Sequence, residues 1–96
     1  MNALPVPFNI KPLIVGAKTG PHPAGFGEQT KMQFQNGYSL SIVCGEMFYS
    51  NGVDTYEVAI INGDGNLVDL FNHGDTVMGY LSANEVFDIM KKVALS

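Results

Sequence analysis

The segment Lys31–Cys44 (KMQFQNGYSLSIVC) limits the fold more than any other part of this chain. Apolar and polar residues alternate on both sides of the dipeptide Asn36-Gly37, which is the pattern of a half-buried β-strand. Asn-Gly between two such runs favours a type I′ turn, in which both central residues have positive φ. The segment therefore predicts a β-hairpin. One face of its second strand carries Tyr38, Leu40, Ile42 and Cys44, and the other carries Ser39 and Ser41.

Further stretches extend this hairpin into a sheet. Residues 55–61 are rich in β-branched and aromatic side chains, and their apolar character on both faces toward the end indicates a central strand. Residues 62–65 (NGDG) predict a tight turn, and residues 66–71 predict a returning strand. Residues 46–49 extend the second strand of the hairpin past a glycine. Successive short hairpins predict an antiparallel meander.

The C-terminal part of the chain changes to helical periodicity. Ser82 and Glu85 have the spacing of a capping box, in which each side chain satisfies a backbone N–H of the other residue. Apolar residues follow at helical spacing, at Val86, Ile89, Met90 and Val93. We therefore predict an α+β fold, in which an antiparallel β-sheet meander of four to five strands has one C-terminal amphipathic helix packed on one face.

The N-terminal third lacks these patterns. We interpret residues 1–30 as an extended N-terminal arm and a Gly/Pro loop, and residues 31–96 as the compact sheet-plus-helix domain of a single-domain protein. Pro21 and Pro23 oppose both a regular helix and a central strand. We therefore expect residues 17–29 to form an exposed loop without regular secondary structure, with at most Phe26 packed on the rest of the protein.

Charged side chains are unevenly distributed along the chain. The net charge is −4, arginine is absent, and every charged side chain between Lys31 and Lys91 is acidic. Phosphate backbones are held by clustered lysine and arginine, so we expect no direct nucleic-acid binding. An acidic protein favours partners with a basic surface. No apolar run reaches the roughly 20 residues of a membrane helix, so no membrane binding is expected, and the small core favours a homodimer.

Residues with catalytic or metal-ligating chemistry are few and scattered. His22, His73 and Cys44 do not have the spacing of a zinc site, which normally uses three or four ligands. Residues 16–19 (GAKT) lack the glycines of a phosphate-binding loop, and residues 62–66 (NGDGN) do not continue as a calcium-binding loop. No sequence context of a catalytic nucleophile is present. We therefore predict a protein that is not an enzyme and has no cofactor, metal ligand or catalytic residue.

Aromatic and acidic residues around the predicted turn at 50–52 form the candidate partner-binding surface. Rigid aromatic side chains are enriched where protein interfaces gain most of their binding energy. Ordinary packing within the sheet is the alternative explanation for the aromatic rings, and the sequence leaves it open. The candidate residues are Glu46, Phe48, Tyr49, Asp54 and Tyr56, together with His22 and Phe26 of the loop.

Three segments together resemble a family of small proteins encoded by bacteriophages and prophages. They are residues 34–42 (FQNGYSLSI), residues 56–60 (YEVAI), and residues 75–81 (DTVMGYL) followed by an acidic helix. The resemblance covers residues 32–94. It implies a phage origin and a location in the bacterial cytoplasm, and it identifies no catalytic residue.

Three functional hypotheses follow. The first, from the resemblance and the acidic charge, is a small accessory protein that occludes a host protein with a basic surface, such as a component of an antiviral defence like CRISPR. The second is a small-ligand binder that sequesters a signalling nucleotide, based on the glycine-rich loop and on Lys18 and Lys31. The third is a structural or assembly protein of the virion.

Overall fold

The protein folds into an antiparallel sheet with one helix on one face, which confirms the predicted fold class. The computed structural model describes residues 12–21, 27–45, 50, 55–72 and 74–96. The described sheet has six strands in the order β1-β2-β3-β4-β5, and β6 also pairs with β4. The elements are β1 Ile14–Pro21, β2 Glu28–Phe34, β3 Ser39–Cys44, β4 Tyr56–Ile61, β5 Leu67–Val68, β6 Val77–Leu81 and α1 Ala83–Ala94.

The strand β4 is central, as predicted, and two short strands share its outer edge. Ile60 of β4 pairs with Val68 of β5. Farther back along the same strand, Ala59 pairs with Val77 of β6. The predicted strand over residues 66–71 is therefore too long, because the chain turns after Val68, where the Asn72 amide donates to the Asp69 carbonyl at 3.2 Å. The strand β6 was not predicted, and it fills the remaining part of this edge.

The β2–β3 hairpin is confirmed, but its predicted type I′ turn is wrong. Within the loop, Gly37 has a positive φ of 91°, whereas Asn36 does not. The Gly37 amide donates to the Phe34 carbonyl at 3.1 Å, and the Phe34 amide donates to the Tyr38 carbonyl at 2.9 Å. This is a three-residue loop, in which a type I turn is followed by a left-handed glycine. The side chain of Asn36 bonds to the end of α1, as described below.

The expectation of an exposed loop over residues 17–29 is wrong for its described part. Residues 17–21 belong to β1, and residues 28–29 begin β2. Both faces of β1 are largely exposed, so its sequence has no apolar alternation from which a strand could be predicted. Pro21 is tolerated because it occupies the last pair of an outer strand, where its missing N–H interrupts no central ladder. Residues 22–26 lie outside the described part of the chain.

The hydrophobic core lies between the sheet and α1. The capping box is present as predicted, because the Ser82 hydroxyl accepts from the Glu85 amide at 3.2 Å and the Glu85 carboxylate accepts from the Ser82 amide at 3.0 Å. Cys44 is 3% exposed and belongs to this core. No helix in the described ranges has the length and hydropathy needed to cross a membrane. The helix contributes Val86, Ile89, Met90 and Val93 to the core, opposite Met32, Phe34, Leu40, Ile42, Val58 and Ile60 of the sheet.

Candidate functional site

The sheet face opposite α1, called the open face here, carries the candidate site. Side chains alternate between the two faces of a strand, and directly paired residues point to the same face. The positions between the core residues therefore face away from the helix. In the first four strands, the open face comprises Gly16, Lys18 and Gly20 of β1, Gln29, Lys31 and Gln33 of β2, Ser39, Ser41 and Val43 of β3, and Glu57, Ala59 and Ile61 of β4. Leu67 of β5 and Val77 of β6 pair with Ile61 and Ala59 and share this face.

Two lysines stand directly opposite each other on this face. Lys18 of β1 is the register partner of Lys31 of β2, and both side chains are exposed. Directly paired residues have Cβ atoms about 4.5–5.5 Å apart, so the two stems start side by side. Like charges in this position oppose folding. Glu57 provides a carboxylate on the same face, but it lies on β4, two strands away from Lys31. Its register partner on β3 is Val43, which pairs with Gln29 of β2 and not with Lys31.

The lysine pair separates two clefts. The smaller cleft, of about 400 Å³, is lined by Lys18, Gly20, Pro21, Gln29 and Lys31. The larger cleft, of about 480 Å³, extends along the same face to the turns that follow β2 and β4. Lys31 lines both clefts, so its ammonium group can reach a ligand in either one. Both volumes lie within the range of small-molecule sites.

Hydrogen-bonding side chains surround the lysine pair. The Gln29 amide nitrogen donates to the Ser41 hydroxyl at 2.8 Å, which holds the glutamine side chain flat along the face. A Cβ added to Gly16 would lie 3.5 Å from Oε1, the side-chain oxygen of Gln33, so the end of the Gln33 side chain lies beside β1. Around a Cβ added to Gly20, by contrast, no atom lies within 4 Å. The glycine therefore leaves the smaller cleft open next to Lys18.

These groups favour the binding of an anion. Each lysine offers three N–H donors and a positive charge. Charge-assisted hydrogen bonds are roughly twice as strong as neutral ones, and a bound anion also removes the repulsion between the two ammonium groups. The open face thus combines a concave surface, paired positive charge and neutral donors and acceptors.

The buried contact between Ser50 and Cys44 is a structural feature. The Ser50 hydroxyl donates to the Thr55 carbonyl at 2.6 Å and accepts from the Gly45 amide at 3.2 Å. It lies 3.8 Å from the Cys44 sulfur. Because the hydroxyl bonds to the Gly45 amide just after β3 and to the Thr55 carbonyl just before β4, it ties the end of β3 to the start of β4. Among the described residues, no group of three or more histidine, cysteine or carboxylate side chains could hold a metal ion.

Of the partner-binding residues expected from the sequence, Tyr56 alone lies within the described part of the chain. Tyr56 is 8% exposed and belongs to the core, which favours the alternative of ordinary sheet packing for this ring. The remaining candidates lie outside the described residues. They are Glu46, Phe48, Tyr49, Asp54, His22 and Phe26.

Sequence reasoning singled out Lys18 and Lys31 but assigned the first to a loop, so their pairing was missed. Both segments nevertheless contain a period of two. Residues 16–20 have a lysine with a glycine two positions away on each side, and residues 29–33 have a lysine with a glutamine two positions away on each side. Comparison with protein-family models, with curated proteins and with solved structures found no match. The resemblance to phage-encoded proteins therefore stays a prediction.

Proposed function

We propose that this protein is a non-catalytic binding protein that holds a small anionic ligand on its open face, between Lys18 and Lys31. The observation that carries this proposal is the cross-strand lysine pair. The chain has few cations and a net charge of −4, yet two of its lysines are register partners. An anion between them would turn an unfavourable contact into two charge-assisted hydrogen bonds.

Binding is favoured over catalysis by the chemistry of the site. The described open face offers ammonium, amide and hydroxyl groups, which attract and orient a ligand. General acid–base catalysis most often uses histidine or a carboxylate within hydrogen-bond reach of the reacting group. Glu57, the acidic residue of the described open face, is separated from the lysines by β3.

The test is titration of the protein with pyrophosphate, followed by calorimetry and by the rise in melting temperature. We expect Lys18→Gln and Lys31→Gln each to lower the affinity about tenfold to a hundredfold, because a hydrogen bond to a charged group contributes about 1.5–3 kcal/mol. Lys91→Gln is the matched control, since it removes the same charge from α1 on the other side of the sheet. The proposal is wrong if wild type does not bind pyrophosphate, or if the three variants weaken binding equally.

The first sequence-based hypothesis, occlusion of a host protein with a basic surface in the bacterial cytoplasm, stays a separate proposal. Its support is the acidic charge of the chain and the resemblance to phage-encoded proteins. Most of the residues nominated for it lie outside the described ranges, whereas the small-ligand hypothesis is supported by the described pairing of Lys18 with Lys31.

A further inference from the structure

Resting on the proposed function, we infer the class of ligand: a phosphate monoester of a small compound that carries several hydroxyl groups. Its phosphate lies between Lys18 and Lys31, and its hydroxylated part extends along β2 toward Gln33 and Ser39. The chemistry at the two ends of the open face differs in a way that matches the two ends of such a molecule.

The phosphate end is the smaller cleft. There Lys18 and Lys31 provide the positive charge, and Gly20 leaves space beside them. A tetrahedral phosphate has several acceptor oxygens, so it can accept from both ammonium groups at the same time. A compact point-charge contact of this kind is the usual way in which lysine binds phosphate.

The hydroxyl-binding end is the larger cleft. Gln33 lies two residues along β2 from Lys31, about 6.6–6.8 Å away, and its register partner Ser39 is on the neighbouring strand. An amide and a hydroxyl each offer both a donor and an acceptor. This combination matches ligand hydroxyls, which also donate and accept. Lys31 borders this end as well, so its ammonium group is shared between the two clefts, whereas Lys18 lines the smaller cleft.

The apolar border of the larger cleft disfavours a nucleotide. Val15, which is 62% exposed, and Ile61 line the cleft with aliphatic groups. Two aromatic residues, Phe34 and Tyr38, also line this cleft, but Phe34 is buried in the core and Tyr38 is partly buried against it. Bases are typically bound by stacking on aromatic or guanidinium groups. Neither ring is among the open-face residues, which also include no arginine, so the hydroxylated part of a sugar phosphate suits this face better than a base.

The experiment compares ribose 5-phosphate, inorganic phosphate, ribose and AMP by calorimetry on the full chain. We expect ribose 5-phosphate to bind at least about tenfold more tightly than inorganic phosphate, which corresponds to about 1.4 kcal/mol. AMP contains the same ribose and phosphate, so it should bind no more tightly than ribose 5-phosphate. Ribose alone should bind most weakly, because it lacks the group that the lysines hold.

Two variants locate the hydroxyl contacts. Gln33→Ala and Ser39→Ala should bring the affinity for ribose 5-phosphate down toward that for inorganic phosphate, while inorganic phosphate binds as it does to wild type. Gln35→Ala is the control. Gln35 lies in the β2–β3 turn and is not an open-face residue, and its side-chain amide donates to the Pro12 carbonyl at 2.8 Å. Circular dichroism verifies that each variant is folded.

The outcomes separate this inference from the proposed function. If ribose 5-phosphate and inorganic phosphate bind equally well, and both lose affinity in Lys18→Gln, the inferred ligand class is wrong but the proposed anion-binding function stands. AMP binding much more tightly than ribose 5-phosphate also overturns it, in favour of a nucleotide. If none of the phosphate compounds binds, the inference and the proposed function both fail.

Discussion

Two hairpin turns in the described part of the chain contain Asn-Gly and have the same backbone, yet they use the asparagine differently. In the β2–β3 turn, Asn36 is the residue before the left-handed glycine, Gly37. In the β4–β5 turn, Asn62 comes first, and the left-handed residue is Gly65, with φ of 84°. The Gly65 amide donates to the Asn62 carbonyl at 3.0 Å, as the Gly37 amide does to Phe34.

The side chain of Asn62 acts within its own turn. Its carbonyl oxygen accepts from the amides of Asp64 and Asn66, each at 3.0 Å. Asparagine commonly folds back on its own backbone in this way and so stabilises a turn locally. The contacts of Asn62 therefore follow from a few consecutive residues.

The side chain of Asn36 joins two distant parts of the protein. Its carbonyl oxygen accepts from the Tyr38 amide at 3.1 Å, whereas its amide nitrogen donates to the end of α1. The acceptors there are the carbonyls of Val93 at 2.7 Å, Ser96 at 3.2 Å and Ala94 at 3.4 Å. The last carbonyls of a helix lack partners within the helix, so this turn caps α1 from the sheet.

The largest expected difference between the turns comes from replacing each asparagine with aspartate. Asn36→Asp removes the donor and places a negative charge at the negative end of the helix dipole, so we expect a loss of about 3 kcal/mol at neutral pH. Asn62→Asp keeps an acceptor facing two amides, so we expect a change within about 0.5 kcal/mol there. Urea unfolding of both variants measures these values.

The pH dependence of the two aspartate variants should have opposite signs. The helix carbonyls disfavour the charged form of Asp at position 36, which raises its folded pKa above the unfolded value of about 3.9, so lowering the pH recovers stability. Two amide donors favour the charged form at position 62, which depresses the folded pKa, so stability falls as the pH is lowered through it. Equal slopes in the two variants would contradict the different roles of the asparagines.

Replacement with alanine gives the next largest effect. Asn36→Ala loses the cap of α1 and the bond to Tyr38, so we expect a loss of about 2 kcal/mol. Asn62→Ala loses only exposed local bonds, and about 0.5–1 kcal/mol is expected. Amide hydrogen exchange in the last turn of α1 should increase in the first variant alone. Increased exchange there in both variants would show that the capping contact does not distinguish the turns.

The smallest difference is expected at the left-handed glycines. Gly37→Ala and Gly65→Ala both force a side chain into positive φ, and a Cβ at either position meets no atom within 4 Å. The cost is therefore one of backbone conformation alone, about 1–2 kcal/mol in each turn. Equal losses on thermal unfolding would confirm that the two backbones are equivalent. A clearly larger loss at Gly37 would mean that the cap of α1 depends on the turn backbone as well.

The distinction between local and long-range contacts also explains which elements could be predicted from the sequence. The strands β3 and β4, the positions of the two turns, and α1 were found because their patterns lie within a few consecutive residues. The capping box of Ser82 and Glu85 is of this kind. The strand β1 was missed because its faces are exposed, and β6 was missed because it is short and adds to an edge already used by β5.

The sequence by itself determined the elements that bury an apolar face, since burial requires a regular period of two or 3.6 residues. Tertiary structure decided the rest, because strand register depends on pairing between residues far apart in the chain. A slip of one residue would move Lys18 to the other face of the sheet, away from Lys31. The side-by-side placement of these two lysines, and the anion site proposed from it, therefore exists only once β1 and β2 have paired.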